Sequence, residues 1–157
     1  VKLRAKVLTV SDGVAAGARE DRAGPALARR LAEAGYEIVE STVVSDGLDE
    51  VAGALLQLTE GFHGVVVSTG GTGMSPRDLT PEATERILER RAPGLGEAMR
   101  AASPRPHGML SRGVCGTRGA SLVLNVPGSE PGAVECIEAV LEALPHALDL
   151  LAGGRPH

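Results

Sequence analysis

Aromatic residues are nearly absent: the chain has no Trp, one Tyr (Tyr36) and one Phe (Phe62) in 157 residues. Leu, Val and Ala must therefore fill its core, and such small side chains suit helices packed closely on a sheet. Of 16 basic residues only Lys2 and Lys6 are lysine, and no basic run occurs. With a formal net charge of −4, this argues against a nucleic-acid-binding surface. No apolar stretch approaches the roughly 20 residues of a membrane span. No signal-like apolar region follows Lys2 and Arg4, so the chain reads as cytoplasmic. Cys115 and Cys136 lie far apart without CxxC spacing and are most simply thiols. No nucleophile elbow, Ser/His/Asp constellation or metal-ligand spacing among the histidines stands out.

The length fits one domain over 1–157, and a domain of this size buries roughly 70% of its unfolded surface without staples. Strand and helix signals alternate, which predicts an α/β sheet with parallel neighbours. Strands are expected at 4–10, 36–45 and 64–68, and helices at 22–34 and 48–59. A helix should start near Thr80, with Thr80 as N-cap, Pro81 first and Glu82 favouring its positive end. A short helix to about Ala102, a loop over 103–108 and a hairpin around 116–119 follow. The hairpin leads into a strand over 122–126. The last helix runs from about Pro131 to Leu151, with Pro145 expected to kink it.

In such sheets, ligands bind beyond the carboxyl ends of the strands. Four small polar loops should share that edge: Ser11-Asp12-Gly13, Ser45-Asp46-Gly47, Thr69-Gly70-Gly71-Thr72-Gly73 and Asn125-Val126-Pro127-Gly128-Ser129. The third follows Ser68 in a Gly-rich corner. That corner lacks the Gly-Lys-Ser/Thr ending of a Walker A loop, and Pro76 stands where a dinucleotide fingerprint needs its third Gly. The amides of Gly70 to Gly73 could still form an anion-binding nest; an ordinary strand-to-helix turn is the alternative. Asp46 and Asp78 are the candidate carboxylates, since magnesium is usually held by one or two carboxylates with phosphates and water. A turn residue and a helix-start carboxylate are the plainer readings of the two. Asp12 is a third candidate, and Arg77, Arg112 and Arg118 could fork onto phosphate oxygens or simply be solvated.

Four stretches resemble the MoaB/Mog family of molybdenum cofactor biosynthesis, the molybdopterin adenylyltransferases. They are Thr9-Val10-Ser11-Asp12, Val44-Ser45-Asp46, Ser68 to Gly73 with Arg77-Asp78-Leu79-Thr80-Pro81-Glu82-Ala83-Thr84, and Leu110-Ser111-Arg112 through Arg118 to Leu124-Asn125-Val126-Pro127-Gly128-Ser129. The resemblance implies a three-layer fold, helices on both faces of a mostly parallel sheet, assembled as trimers or in some members hexamers. It implies magnesium, with molybdopterin and ATP as substrates. The terminal phosphate of molybdopterin attacks the α-phosphate of ATP, giving adenylylated molybdopterin and pyrophosphate for the metal-insertion enzyme of the pathway. The family's two functional carboxylates match Asp46 and Asp78. Substrate contacts are expected from Ser11, Asp12, Ser68, Thr69, Gly70, Gly71, Thr72, Gly73, Ser111, Arg112, Asn125, Pro127, Gly128 and Ser129. In one departure, Glu130 separates Ser129 from Pro131, where the family commonly reads Pro-Gly-Ser-Pro; capping of the last helix by Glu130 is expected.

Two other functions remain open on sequence. One is a non-catalytic pterin-binding or scaffold paralogue of the same family. The other is a nucleotide pyrophosphatase-like domain, against which the short chain and missing second domain count.

Overall fold

The computed structural model describes residues 2–104 and 106–154. Arg105, within the loop expected over 103–108, lies outside them. Six strands form one sheet: β1 (Arg4–Val10), β2 (Glu37–Val44), β3 (Gly64–Thr69), β4 (Arg90–Arg91), β5 (Cys115–Arg118) and β6 (Ser121–Val126). Their spatial order is β2-β1-β3-β6-β5-β4. The first four in that order are parallel, and β5 and β4 are antiparallel additions at one edge. The chain leaves β1 for β2 on one side and returns to β3 on the other. A crevice must therefore open between the carboxyl ends of β1 and β3.

Helices cover both faces, as the strand pattern requires. Every residue of β3 and β6 is buried, the mark of parallel strands covered twice. Val65 and Val67 pack into one cluster with Leu27, Leu31, Ile137, Leu144 and Leu148. Val66, between them, points the other way, into a cluster with Leu8, Val51, Leu55 and Ile87. Helices α2 (Ala23–Glu33), α5 (Pro93–Ala102), α6 (Glu130–Val140) and α7 (Leu144–Leu151) thus lie on the first face. Helices α3 (Leu48–Thr59) and α4 (Thr80–Ile87) lie on the second. The two aromatic residues divide between the layers, Tyr36 in the first and Phe62 in the second.

Several sequence expectations need correction. The four-residue helix α1 (Asp12–Ala15) stands where a loop was expected, because Ser11 Oγ accepts from the Val14 amide and turns the chain at once. The two-residue strand β4 had no sequence signal. Thr80 is the first residue of α4 and Leu79 its cap, so Thr80 does no capping. Pro145 does not kink a long helix. It lies in the first turn of a separate helix, α7, where its missing N–H is harmless. Ser129, not Glu130, caps α6: its Oγ accepts from the Gly132 amide at 3.2 Å, while Glu130 occupies the first turn. A short 3-10 turn at His107–Leu110 closes the expected loop.

Candidate active site

The Gly-rich corner drops into the crevice between strands. A Cβ on Gly70 would stand 2.2 Å from the carbonyl oxygen of Val10, so only glycine, at φ +103, lets the loop cross the end of β1 there. The Gly70 amide bonds the Val126 carbonyl at 3.1 Å. That bond takes Gly70 out of the expected anion nest. Gly71, Thr72 and Gly73 keep their amides without an internal partner among the described residues.

Three loops are tied together by one arginine. Arg77 Nε donates to Asp12 Oδ2 at 2.6 Å and its Nη2 donates to Asp12 Oδ1 at 3.0 Å. The same Nη2 reaches the Asp46 carbonyl at 2.7 Å. Asp12 and Asp46 also exchange bonds: the Asp12 amide donates to Asp46 Oδ2, and the Asp46 amide to Asp12 Oδ1. The Arg77 hydrogen bond and charge hold the Asp12 carboxyl below the usual carboxylate range. Burial pushes Asp46 the other way, aided by the charges of Asp12 and Asp78. A carboxylate that is short of counter-charge is suited to a cation.

A second arginine braces the corner from behind. Arg112 Nε donates to the Gly73 carbonyl at 2.9 Å, Nη2 to the Asp78 carbonyl at 2.7 Å, and Nη1 to Glu82 at 2.6 Å. With those bonds in place Arg112 lines neither cavity and shapes the loop. Arg118 donates to the Ile87 carbonyl, in β5 and away from the corner. Ser68 and Asn125 are buried and also line neither cavity. Asn125 Nδ2 donates to Ser68 Oγ and Thr84 Oγ1, and its Oδ1 accepts from the Val114 amide, so the amide side chain is fully used beneath the site. Buried Thr69 donates to the Pro127 carbonyl at 2.7 Å, fixing the third loop to the fourth.

Two cavities flank the corner. One, of about 710 Å³, is lined by Ser11, Asp46, Thr69, Gly70 and charged residues after α1: Arg19, Glu20, Asp21 and Arg22. The other, of about 500 Å³, is lined by Thr72, Gly73, Ser111, Pro127, His107 and Leu110. Gly71, Asp78, Gly128, Ser129 and Pro131 border both. The expected residues Ser11, Thr69 to Gly73, Ser111 and Pro127 to Ser129 therefore meet at one place. Asp12 stands behind them, held by Arg77. Arg19, Glu20, Asp21, Arg22 and His107 were not expected at the site, and Leu110 entered only as the start of a resembling stretch. The one available signal was Asp21 three residues before Gly24, a helix-start spacing: Asp21 Oδ1 accepts from the Gly24 amide and Oδ2 from the Thr9 hydroxyl.

Residues 6–146 match the family described as "Probable molybdopterin binding domain". The chain belongs to this family. As a molybdopterin-binding-domain protein of molybdenum cofactor biosynthesis, it is 39% identical over 152 residues to a molybdopterin adenylyltransferase of Helicobacter pylori, covering 94% of this chain and 86% of that protein. Among solved structures it is similar to the molybdopterin biosynthesis enzyme MoaB of Thermus thermophilus, at 44% identity and a TM-score of 0.90, covering 96% and 97% of the two chains. The tungsten cofactor synthesizing protein MoaB of Pyrococcus furiosus matches at 32% identity and a TM-score of 0.85, covering 96% and 97%. The mostly parallel six-stranded sheet with helices on both faces is the fold of these relatives.

The donor set around the corner of this molybdopterin-binding-domain protein is apt for a cation. Asp46 Oδ2 is tied to the Asp12 amide and Asp78 Oδ2 to the Ser75 amide at 3.0 Å, leaving one oxygen of each carboxylate for a cation. No group of three or more His, Cys, Asp or Glu side chains among the described residues could form a complete metal cage. Magnesium is commonly held by one or two carboxylates together with phosphate and water.

Proposed function

We propose that this chain is a molybdopterin adenylyltransferase that uses magnesium-bound ATP. The observation that carries the reading is the pair of cavities sharing Gly71, Asp78, Gly128 and Ser129, with Asp46 beside the junction. Two substrates bound in adjoining cavities can bring their phosphates together at a shared wall, which is what group transfer between them requires. The activity of the Helicobacter pylori relative names the substrates as molybdopterin and an adenylyl donor.

In the proposed reaction an oxygen of the molybdopterin terminal phosphate bonds to the α-phosphorus of ATP, and the bond to the bridging oxygen breaks to release pyrophosphate. The nucleophile is already ionised, so no strong general base is needed. Catalysis then rests on alignment and on neutralising crowded negative charge. Asp46 and Asp78 would hold magnesium, which when bound offsets the phosphate charge. The free amides of Gly71 to Gly73 face phosphate oxygens, and the Ser129 hydroxyl keeps its proton available for donation. Asp12 and Arg77 keep Asp46 in place. The whole chain acts as one domain, assembled as a homotrimer in the cytoplasm, and passes its product to a metal-insertion enzyme.

Purified protein incubated with molybdopterin, ATP and magnesium should release pyrophosphate. Asp46→Asn and Asp78→Asn should each reduce the rate at least a hundredfold. No release by the wild type, under conditions where the Helicobacter pylori enzyme turns over, would leave a pterin-binding scaffold. A light-scattering mass near that of one chain would remove the trimer.

A further inference from the structure

Thr80 is fully buried at the start of α4, and its hydroxyl has no hydrogen-bond partner among the described residues. Native proteins seldom leave a buried hydroxyl unpaired, and such a group commonly has a task in another state of the site. Its surroundings indicate that task. A Cβ built on Gly71 would stand 2.3 Å from Thr80 Oγ1 and 3.1 Å from Asp46 Oδ1. Both oxygens thus border the space that Gly71 leaves empty. The Thr80 amide donates to the Gly71 carbonyl at 3.1 Å, which pins the hydroxyl under the Gly-rich corner. Asp46 Oδ2 is held by the Asp12 amide, so the oxygen left for a cation is the one beside Gly71, and its second lone pair can still take a donor.

We propose that Thr80 is a positioning residue: when cation and nucleotide occupy the site, its hydroxyl donates to Asp46 Oδ1 across the gap kept open by Gly71. A ligating carboxylate needs its orientation fixed by a second hydrogen bond, and loss of such a bond weakens metal affinity. Thr80 lines neither cavity, so it acts through Asp46 and not on the substrates. Gly71 acquires a second purpose beyond its φ of +68, because a side chain there would crowd both oxygens. The assignment rests on the metal-and-phosphate reading of the site given above.

Thr80→Val keeps the shape and removes the hydroxyl; Thr80→Ser keeps the hydroxyl. Two measurements on the full chain separate the roles: thermal melting without ligand, and Mn2+ binding in the presence of a non-hydrolysable ATP analogue followed by electron paramagnetic resonance. Thr80→Val is expected to melt at or above the wild-type temperature, since it deletes an orphaned polar group. It should nonetheless bind Mn2+ about tenfold more weakly, the scale of one hydrogen bond to a charged group. The magnesium concentration for half-maximal turnover should rise in step, and Thr80→Ser should restore both. Equal Mn2+ affinity in Thr80→Val and wild type would overturn the assignment, as would a Thr80→Ser variant as weak as Thr80→Val. A wild type that takes up no Mn2+ with nucleotide would instead overturn the metal-site reading itself, and the role of Thr80 with it.

Discussion

Arg77 grips Asp12 with two parallel bonds, Nε to Oδ2 at 2.6 Å and Nη2 to Oδ1 at 3.0 Å, although both side chains reach solvent. An exposed ion pair contributes little to stability, because water and salt screen it. Its consequence here is geometric: through Asp12 and the Asp46 carbonyl it locks the loop after β1 to the loop after β2.

Replacing Arg77 with Ala should therefore change activity far more than folding. We expect the melting temperature to move by only a few degrees while turnover falls by about 10- to 100-fold, the usual effect of losing an outer-shell partner. Arg77→Lys should recover little, since one ammonium cannot reproduce the two-pronged fork. Calorimetry and a pyrophosphate-release assay on the same preparations check both halves of this expectation.

The acidic pair should show opposite dependence on pH. Burial raises the Asp46 pKa above 3.8, whereas the Arg77 hydrogen bond lowers that of Asp12. A raised carboxyl pKa means that Asp46 favours the fold in its neutral form; that contribution is lost as pH rises through the folded value. Asp12 contributes in its charged form, and its contribution is lost as pH falls through its folded value. Asp46→Asn should raise the melting temperature at pH 7, by an amount that shrinks toward pH 4. Asp12→Asn should lower it at pH 7. Melting curves across this range decide the matter, and an Asp46→Asn protein less stable than wild type at pH 7 would contradict it.

Much of this arrangement was readable from the residues. The run Val65-Val66-Val67 and the Gly-rich corner after it placed the third strand and the crevice, because hydrophobic strands and glycine turns are local signals. Asp46 was legible as a strand-end carboxylate, whereas Asp78 does not act as a helix-start carboxylate: it precedes the cap of α4 and accepts from the Ser75 amide. What local reasoning could not supply was the partner of each polar group. Ser68 and Asn125 carry the same residue types as a ligand-binding loop, but the sheet register sets them side by side and buries them. Arg112 looked like a phosphate fork until the fold brought Glu82 and two carbonyls to it. Pro145 carried an ambiguous signal, since proline both breaks helices and begins them.

The buried Asn125 leads to a prediction about stability. Its side chain bonds Ser68, Thr84 and the Val114 amide, linking β3, α4 and the segment before β5. Asn125→Ala would leave the buried Ser68 hydroxyl unpaired and take the acceptor from the half-buried Val114 amide, while Thr84 keeps its bond to the Thr80 carbonyl; we expect a loss of about 2–4 kcal/mol. Removing the Ser129 cap with Ser129→Ala should cost only about 1 kcal/mol. Urea unfolding of both variants tests the ranking; an Asn125→Ala variant no less stable than Ser129→Ala would mean that water repairs the network.

Gly70 provides the sharpest structural test of the corner itself. Its φ of +103 is one that L side chains rarely adopt, and an added methyl would sit 2.2 Å from the Val10 carbonyl oxygen. That oxygen belongs to the backbone at the end of a central strand, which cannot swing aside as a flexible side chain would. The loop must therefore lift, stretching the Gly70 to Val126 bond and moving the amides of Gly71 to Gly73 away from the crevice. Gly70→Ala is expected to destabilise by about 1–3 kcal/mol from backbone strain alone, with the steric clash adding to it. Gly61 makes a suitable control, because it also has positive φ, at +60, but a Cβ there would meet nothing within 4 Å. Gly61→Ala should lose stability from backbone strain only and retain full nucleotide affinity. Gly70→Ala should lose both, as measured by unfolding and by nucleotide titration; retention of wild-type affinity would show that the corner does not hold phosphate.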